Sequence, residues 1–292
     1  MKIGVFGNNY QMDKLGLITK VFNQLHRFSF EVYVENIFYN YLLAEYNYHP
    51  DITGLIQDTE DYNLDMALSL GGDGTFLRTA AIIGRKNIPI LGINIGRLGF
   101  LADINQEEIE ETLSEVFENH YQIEERSLLQ LDIDRKYLET ENFALNEIAI
   151  LKRDTSSMIT IQAFINDEYL NTYLADGLLI ATPTGSTAYS MSVNGPIITP
   201  HAKNFVLSPV APHSLNVRPL IIPEESHIRL QVETHSHNFL IALDGRSVVL
   251  PSNAEFSVRK ADFSINVVKR HNQTFYQTLR KKLLWGNDVR KL

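Results

Sequence analysis

The sequence predicts a two-domain protein that combines an N-terminal, mainly parallel α/β domain with a C-terminal domain resembling a β-sandwich. Strand-like and helix-like stretches alternate over roughly the first 125 residues, which is typical of a parallel sheet with crossover helices. From Arg126 onward, short runs of alternating apolar residues dominate, as in layered antiparallel sheets. Residues 274–284 regain helical spacing, and we expect this C-terminal helix to return to the first domain.

The elements of the first domain follow from the spacing of apolar residues. Strands are expected at residues 2–6, 31–34, 66–70 and 88–93, and helices at 15–24, 76–83 and 107–117. Ligands of α/β proteins bind at the carboxyl ends of such strands. Polar residues that directly follow a strand are therefore candidates for a site.

The second domain is predicted from short β-runs separated by proline and by Asn, Asp and Gly turns. These runs are residues 129–133, 144–151, 159–165, 178–181, 227–232, 238–243, 255–258 and 263–268. The predicted boundaries are 1–125 together with 270–292 for the first domain, and 126–269 for the second. A cleft between two domains is a common place for a ligand.

The composition indicates a globular protein of a reducing compartment. Hydrophobic residues make up 44% of the 292 residues and charged residues 21%, which is ordinary for globular proteins. The chain has no cysteine, which excludes disulfides and thiolate metal sites. The first strand begins at Lys2, and no apolar run of about 18 residues occurs. We therefore expect a cytoplasmic protein without a membrane partner.

The charge balance limits the possible partners. The formal net charge is −9, the opposite of what nonspecific nucleic-acid binding requires, so no nucleic-acid partner is expected. An anionic small molecule would need local help from backbone N–H groups, arginines and a metal ion. The nine histidines show no metal-ligand spacing, and no protein ligand for a metal is assigned.

A glycine turn carries a carboxylate between a predicted strand and a predicted helix. Gly72 and Gly74 flank Asp73 within GGDGT, residues 71–75. Glycines let the backbone turn sharply and approach a ligand, and the N-terminus of the following helix favours an anion. Arg78 opposes the helix dipole in the first turn, which suggests that a phosphate lies nearby. A tight turn with an aspartate cap is the alternative interpretation.

Two familiar phosphate-binding patterns are missing from this turn. The chain contains no Gly-Lys pair and therefore no P-loop, and Leu77 stands where G-x-G-x-x-G requires its third glycine. The turn is thus neither a P-loop nor a dehydrogenase fingerprint.

Two further polar clusters and one aromatic residue are candidates. Residues 182–189 combine glycine with several hydroxyls, as a nucleotide-cradling loop requires, and Tyr189 offers a ring for base stacking. A polar turn with a structural tyrosine is the alternative. Asn146 and Glu147 precede an apolar run and suit ribose hydroxyls, although a solvated strand start has the same pattern. Phe100 follows a predicted strand and is expected to line the pocket.

Together these clusters resemble the motifs of the NAD kinase family. GGDGT at 71–75, NE at 146–147 and DGLLIATPTGSTAYSMSVNGP at 176–196 match in order and spacing, and NIGRLGFL at 94–101 resembles the segment after the catalytic turn. The resemblance covers essentially the whole chain. GGDGT alone is shared with lipid kinases, whereas the 176–196 stretch is much more specific.

The resemblance implies an activity and roles for the candidates. ATP would donate its terminal phosphoryl group to the 2′-hydroxyl of the adenosine ribose of NAD, giving NADP. Asp73 would be the catalytic carboxylate, and Asn146 with Glu147 would hold ribose. The remaining candidate substrate-binding residues are Gly72, Gly74, Arg78, Phe100, Ser157, Leu174, Asp176, Thr187, Ala188, Tyr189, Ser190, Met191, Ser192 and Arg246.

The resemblance also suggests a metal, an assembly and two alternatives. The charge of ATP calls for a divalent metal, expected to be Mg²⁺ bound mainly through phosphates, and the family suggests a homodimer or homotetramer. A lipid kinase of the diacylglycerol kinase type would need a membrane-facing acceptor site. A non-catalytic dinucleotide-sensing module would not need Asp73. The sequence leaves open whether polyphosphate replaces ATP, whether NADH is accepted, and whether NADP or NADPH exerts feedback.

Overall fold

The structure is a computed structural model that describes residues 1–8, 14–57, 62–96, 98–138, 140–153 and 157–286. The chain divides into two compact units. The first unit is Met1–Glu125 with Ile265–Leu292, and the second unit is Arg126–Ser264.

The first unit is built on one seven-stranded sheet. Its strands are β1 (Lys2–Gly7), β2 (Glu31–Glu35), β3 (Gly54–Ile56), β4 (Met66–Gly71), β5 (Ile90–Asn94), β6 (Gln122–Arg126) and β19 (Ile265–Lys269). Their order is β3-β2-β1-β4-β5-β19-β6, and the pairing is parallel from β3 to β19. Every residue of β4 and β5 is buried, which is the pattern of a parallel sheet covered on both faces.

Among the residues that the structure describes in this unit, five α-helices accompany the sheet. They are α1 (Leu15–Arg27), α2 (Asn36–Tyr46), α3 (Asp73–Ile83), α4 (Ile109–Phe117) and α6 (Phe275–Leu283). The four predicted helices are all present, with shifted ends. The sequence does not predict α2, because its aromatic-rich stretch shows no clear apolar face and buries only Phe38 and Leu42. In the described parts of the chain, no helix has the length and apolar character needed to cross a membrane.

The chain reverses its direction across the sheet between β1 and β4. From β1 it runs through β2 to the edge strand β3, then returns to β4 on the other side of β1 and continues to β5. Gly7 of β1 lies beside Leu70 of β4. Such a reversal leaves a crevice at the carboxyl ends of the strands. Helix α3, whose first residue is Asp73, begins at this edge.

The second unit consists of two six-stranded antiparallel sheets. Its strands are β7 (Leu129–Ile133), β8 (Phe143–Ala144), β9 (Glu147–Lys152), β10 (Ile159–Ile165), β11 (Glu168–Ala175), β12 (Gly177–Ala181), β13 (Asn204–Val210), β14 (Leu220–Pro223), β15 (Ile228–Glu233), β16 (Asn238–Leu243), β17 (Arg246–Pro251) and β18 (Phe256–Lys260), and its short helix is α5 (Tyr189–Ser192). The sheet orders are β11-β10-β15-β18-β7-β8 and β14-β13-β12-β9-β16-β17.

The two sheets of the second unit share one hydrophobic core. Leu131 and Ile161 from one sheet belong to the same buried cluster as Ile150 and Phe239 from the other. The sheets therefore pack face to face as in a sandwich. The predicted fold class, an α/β domain followed by a β-rich domain, is confirmed.

One predicted β-run of the second domain lies in the first unit. The sequence analysis extends the β-rich domain to residue 269, but β19 pairs in parallel with β5, with Val267 opposite Ile90. Its residues are almost continuously buried, which is typical of a parallel strand rather than of a half-exposed antiparallel one. The second unit therefore ends at Ser264. The expectation that the first domain binds nucleotide and the second domain binds NAD stays a prediction.

The chain passes so close to β5 that position 92 has no room for a side chain, which gives a testable prediction for Gly92. A Cβ atom added there would lie 2.8 Å from both the Ala102 Cα and the Leu101 carbonyl oxygen. Because both neighbours are backbone atoms, they cannot rotate away. We expect Gly92→Ala to lower the free energy of unfolding by about 1–3 kcal/mol, measured by urea denaturation.

Gly16→Ala is the matched control for this substitution. A Cβ at Gly16, in the first turn of α1, would meet no atom within 4 Å. This change should leave stability unchanged or raise it slightly, because alanine favours helix over glycine. An unchanged urea midpoint for Gly92→Ala would contradict the packing described.

Candidate active site

The Asp73 carboxylate is held by the backbone of a neighbouring loop. Its Oδ2 atom accepts a hydrogen bond from Phe100 N at 2.9 Å, and its Oδ1 atom accepts from Leu101 N and Ala102 N, each at 3.0 Å. The side chain keeps 28% of its accessible surface. Asp73 therefore joins the end of β4 to the loop after β5 and still presents an accessible face.

The loop that contacts Asp73 is closed by its own hydrogen bond. Gly99 N donates to the Ala102 carbonyl at 3.1 Å, and we call residues 99–102 the 99–102 loop. A Cβ on Gly99 would lie 1.9 Å from Asp73 Oδ1, so no side chain fits beside the carboxylate. Gly99, within the NIGRLGFL stretch at 94–101, thus makes room for the Asp73 side chain.

The C-terminal helix α6 places a lysine on the same carboxylate. Lys282 Nζ lies 3.4 Å from Asp73 Oδ2 and 4.5 Å from the centre of the Phe100 ring. The Phe100 ring also lies 6.2 Å from the ring of Phe275 on α6. Two predicted site residues, Asp73 and Phe100, are therefore brought together, and Lys282 joins them.

Arg78 is engaged by groups of its own unit. Its Nη1 atom donates to the Gly7 carbonyl at 3.1 Å and to Glu35 Oε2 at 2.9 Å, and its Nη2 atom donates to Glu35 Oε1. Glu35 is only 1% exposed, and a buried carboxylate needs such a partner. The cation near the start of α3 is thus balanced by Glu35. A role for Arg78 in substrate binding stays a prediction.

The two glycines that flank Asp73 border open space. A Cβ added at Gly72 or Gly74 would meet no atom within 4 Å. Helix α3 begins at Asp73; Thr75 N and Phe76 N donate to the Gly72 carbonyl at 3.0 and 3.1 Å, so the donors that the helix start leaves for a ligand are the N–H groups of Asp73 and Gly74. The turn therefore offers backbone donors and room for an anion beside Gly72 and Gly74.

In the second unit, a buried aspartate fixes the Asn146–Glu147 turn. The Asp244 carboxylate accepts hydrogen bonds from Leu145 N at 2.7 Å, Asn146 N at 2.8 Å and Glu147 N at 3.1 Å. Burial raises the pKa of Asp244, and the three N–H donors oppose that rise. Asp244 and Gly245 form the turn between β16 and β17, so a hairpin tip orders the start of β9.

Glu147 is a carboxyl group with one unpartnered oxygen. Among the described residues, its Oε2 atom is buried and has no hydrogen-bond partner. Burial first and the charge of Asp244 second raise the pKa of Glu147 to about 7, while the Tyr189 N–H opposes this rise. Such an orphaned acceptor suits a hydroxyl donor from a ligand.

The hydroxyl-rich segment 182–192 packs directly on this turn. Thr182 N donates to the Asn146 carbonyl at 2.9 Å, and Thr182 Oγ1 donates to the Leu145 carbonyl at 2.6 Å. A Cβ on Gly185 would lie 2.1 Å from the Asn146 carbonyl oxygen. The structure therefore brings the second and third sequence clusters together within one unit.

The hydroxyls of this segment divide into structural and accessible groups. Ser186 Oγ donates to the Pro183 carbonyl at 2.7 Å, and Ser190 Oγ lies 3.3 Å from Ser208 Oγ; both serines are buried. Tyr189 and Ser192 are exposed. The residues of the predicted run that retain accessible surface are Thr187, Ala188, Tyr189, Met191 and Ser192.

Three further candidates occupy different places in the second unit. Asp176 precedes β12 and pairs with Lys152 Nζ at 2.7 Å. Leu174, on β11, is exposed, and its carbonyl accepts from His213 N at 2.9 Å. Ser157 lies before β10 and is partly buried. Their contacts with substrate stay predictions.

Arg246 holds a neighbouring chain segment through its guanidinium group. The group donates to the carbonyls of Leu243 at 3.2 Å, Glu141 at 3.0 Å and Phe143. Burial lowers the pKa of Arg246, and the charge of Asp244 opposes that change. Its predicted role in lining the substrate site stays a prediction.

Sequence reasoning missed Lys282 and the role of Asp244. Asp244 lies in the hairpin turn between β16 and β17, and nothing in a single sequence shows which backbone its carboxylate orders. Lys282 belongs to a run of basic residues at the end of α6. Helical spacing could have placed it on a surface, but not on Asp73.

These features define a nucleotide-binding phosphotransferase, with a carboxylate at a glycine turn and a separate polar turn in a β-sandwich. Two family models match the chain: the ATP-NAD kinase N-terminal domain over residues 3–121 and the ATP-NAD kinase C-terminal domain over residues 145–270. The chain is 53% identical to the NAD kinase of Bacteroides fragilis over 290 residues, which cover 99% of this chain and 100% of the relative. It is 45% identical to the NAD kinase of Porphyromonas gingivalis over 289 residues, 99% of each.

Solved structures agree with these relatives. A crystal structure of an NAD kinase from Archaeoglobus fulgidus in complex with ATP superposes with a TM-score of 0.77 at 26% identity, covering 97% of this chain and 99% of that one. A crystal structure of yeast NADH kinase complexed with NADH superposes with a TM-score of 0.88 at 23% identity, covering 100% of this chain and 89% of that one, and supports the fold.

The chain belongs to the NAD kinase family. The predictions of the family and of an ATP-dependent NAD kinase are therefore confirmed. These comparisons give no support to a lipid kinase or to a dinucleotide-sensing module.

The raised pKa of Glu147 predicts a pH-dependent stability difference. Because folding raises this pKa from 4.5 to about 7, the contribution of Glu147 to stability is fully present below pH 4.5 and is lost as the pH rises through about 7. Glu147→Gln removes the titration. The free energy of unfolding of the variant, relative to that of the natural protein, should therefore rise by roughly 3 kcal/mol between these pH values. Urea unfolding at several pH values measures this difference.

Glu168→Gln is the control for this pH series. Glu168 is exposed at the start of β11, so its substitution should shift stability little and without the same pH dependence. A Glu147→Gln difference that stays constant from pH 4.5 to pH 8 would contradict the burial described for Glu147.

The hydrogen bonds of Asp244 predict an effect on NAD binding. Asp244→Asn would turn an amide N–H₂ toward at least one backbone N–H, which leaves a buried donor unpaired and disturbs Asn146 and Glu147. We expect the KM for NAD to rise about tenfold, equivalent to roughly 1.4 kcal/mol, with a smaller change in the KM for ATP. Asp167→Asn, at the exposed β10–β11 turn, should leave both unchanged. Equal kinetics for Asp244→Asn and the natural protein would rule out this positioning role.

Proposed function

We propose that this NAD kinase transfers the terminal phosphoryl group of ATP to the 2′-hydroxyl of the adenosine ribose of NAD, giving NADP and ADP, with Asp73 as the catalytic carboxylate. The observation that carries this assignment is the geometry of Asp73. The carboxylate ends a buried parallel strand, begins a helix at a glycine turn, and is fixed by three backbone N–H groups while keeping an accessible face.

Asp73 would orient the ribose hydroxyl and accept its proton. An aspartate is a much weaker base than an alkoxide, so it does not ionise the hydroxyl before attack. Phosphoryl transfer passes through a loose transition state in which positioning and charge neutralisation dominate. The proton therefore moves to Asp73 late, as the bond from the 2′-oxygen to phosphorus forms.

The second unit would bind the dinucleotide through its polar turn. The orphaned oxygen of Glu147 would accept a hydrogen bond from a ribose hydroxyl, and the Asn146 amide would donate to or accept from a neighbouring one. The exposed ring of Tyr189 would stack on a base. The other residues assigned to this role are Ser157, Leu174, Asp176, Thr187, Ala188, Ser190, Met191, Ser192 and Arg246.

Mg²⁺ is the metal we assign to the donor. Among the described residues, no group of three or more His, Asp or Glu side chains could hold a metal ion, and the Asp73 oxygens already accept three N–H bonds. The described residues therefore do not form an all-protein metal cage. Mg²⁺ would arrive with ATP, held through the phosphates, and would neutralise their charge.

The location and assembly are also part of this proposal. A cytoplasmic location is supported by the absence of cysteine from the sequence. A homodimer or homotetramer is supported by the family resemblance, and size-exclusion chromatography with light scattering would measure the assembly directly.

Removing the acid of Asp73 tests the proposed chemistry. Asp73→Asn cannot accept the hydroxyl proton, so kcat should fall about 100-fold or more, while NAD still binds. NADP formation from NAD, ATP and Mg²⁺ is followed with a coupled dehydrogenase, and NAD binding is followed by calorimetry.

Asp51→Asn is the matched control, because Asp51 is a carboxylate of the same unit that is 80% exposed. It should retain the kcat of the natural protein. If Asp73→Asn also retains that kcat, Asp73 is not the catalytic carboxylate.

A further inference from the structure

The C-terminal helix fixes the position of a cation at the catalytic turn. Helix α6 begins with a capping box in which Thr274 and Gln277 satisfy each other's backbone N–H groups. Just before it, Gln273 Nε2 donates to the Asp103 carbonyl at 3.0 Å. The capping box fixes the first turn of α6, and the Gln273–Asp103 bond anchors it beside the 99–102 loop. The helix then places Lys282 at Asp73.

The contact of Lys282 with Asp73 is loose. The Nζ–Oδ2 distance is 3.4 Å, longer than the 2.7–2.9 Å typical of a charge-assisted hydrogen bond. By contrast, Lys269 and Asp103 of the same unit form a close pair in which both side chains are buried. Lys282 keeps 30% of its side-chain surface. An ammonium group has three donors, so this one can contact a second anion.

A triphosphate bound at this turn would bring phosphate charge close to the Asp73 carboxylate, and a cation is needed to offset the repulsion between them. The Asp73 carboxylate would repel phosphate oxygens at short range. Arg78 is occupied by Glu35 and the Gly7 carbonyl, and the chain has no P-loop lysine. Among the ion pairs of the described residues, Lys282 is the cation paired with Asp73.

The Phe100 ring sets the direction of the Lys282 side chain. Its centre lies 4.5 Å from Nζ, within the range of a cation–π interaction. The ring and the carboxylate together hold the ammonium group beside the glycine turn. Gly72 and Gly74 of this turn border open space.

We propose that Lys282 is a further catalytic residue that binds the terminal phosphate of the triphosphate donor. This inference rests on the proposed function. As the bond from the 2′-oxygen to the γ-phosphorus forms, the bond from that phosphorus to the β,γ-bridging oxygen breaks and ADP leaves. The hydroxyl proton passes to Asp73. Lys282 keeps its own proton throughout and stabilises the charge on the transferring phosphoryl group.

Three variants separate this role from helix anchoring. Lys282→Gln removes the charge, but its amide can still donate to Asp73. Lys282→Arg keeps the charge with a different donor geometry. Lys281→Gln removes the same charge from the preceding, exposed position of α6. Steady-state kinetics with NAD and Mg·ATP, thermal melting, and inhibition by inorganic tripolyphosphate are measured for each.

The kinetic constants of Lys282→Gln should change selectively. We expect kcat/KM for ATP to fall roughly tenfold to hundredfold, the KM for NAD to stay unchanged, and inhibition by tripolyphosphate to weaken in parallel. Lys282→Arg should recover a substantial part of the loss. Lys281→Gln should behave like the natural protein in every measurement.

The outcomes also distinguish the inference from the function beneath it. If the natural protein makes no NADP from NAD and ATP, the proposed function fails. If it does, and Lys282→Gln matches Lys281→Gln in kcat/KM for ATP and in tripolyphosphate inhibition, the assignment of Lys282 is wrong. Equal losses of activity and melting temperature in Lys282→Gln and Lys282→Arg would identify Lys282 as a structural anchor and would also overturn the assignment.

Discussion

The first unit depends on the hydrogen bonds that the Asp73 carboxylate accepts from the 99–102 loop. Three N–H groups at 2.9–3.0 Å tie the end of β4 to the chain that leaves β5. Because the loop lies on the carboxylate, Gly99 can carry no side chain. The two glycine-containing motifs of this unit, GGDGT and NIGRLGFL, are thus joined into one arrangement by the Asp73 carboxylate.

The second unit also contains an aspartate that accepts three backbone N–H bonds, but this aspartate is buried. Asp244 also accepts three backbone N–H bonds, from Leu145, Asn146 and Glu147. Asp73, however, keeps an accessible face, whereas burial raises the pKa of Asp244. Three backbone N–H groups already engage the buried Asp244 carboxylate, so Asp244 acts by shaping the Asn146–Glu147 turn, for which ribose binding is proposed. Two Asp-Gly pairs that look alike in sequence therefore differ in role because they differ in burial.

The sequence was sufficient for features that depend on local pattern. The buried runs of β1, β4 and β5, the amphipathic spacing of α1 and the motifs around Asp73 and Asn146 were all predictable. Helix α2 was not, since its aromatic residues are spread around the helix. Strand β19 has the composition of its antiparallel neighbours, and only its pairing with β5 reveals its sheet.

The partners of two arginines come from residues distant in the sequence, and sequence spacing could not predict them. The sequence predicts a helix over 76–83 with Arg78 in its first turn and suggests a phosphate contact that stays a prediction, whereas in α3 Arg78 is the sixth residue and its guanidinium group pairs with Glu35, 43 residues earlier. The predicted contact of Arg246 with substrate stays a prediction, and the structure shows its donors on three backbone carbonyls of the same unit. In neither case does the sequence near the arginine indicate the partner. Spacing identifies which residues can be charged, but not which charges are already compensated.

Compensation of charge explains how an acidic protein can receive a phosphate-rich substrate. The net charge of −9 says little about the turn itself, because the field there depends on the groups near the turn, and ion pairs elsewhere in the fold cancel charges of both signs locally. Lys269 pairs with Asp103, Arg270 with Glu111 and Glu115, and Lys260 with Glu224. What remains at the turn is the start of α3, with its backbone N–H donors, and the loosely held Lys282. Donors that are fixed by the fold need no reorganisation when charge develops, so a glycine turn and one lysine can serve where a richer set of cations would be expected.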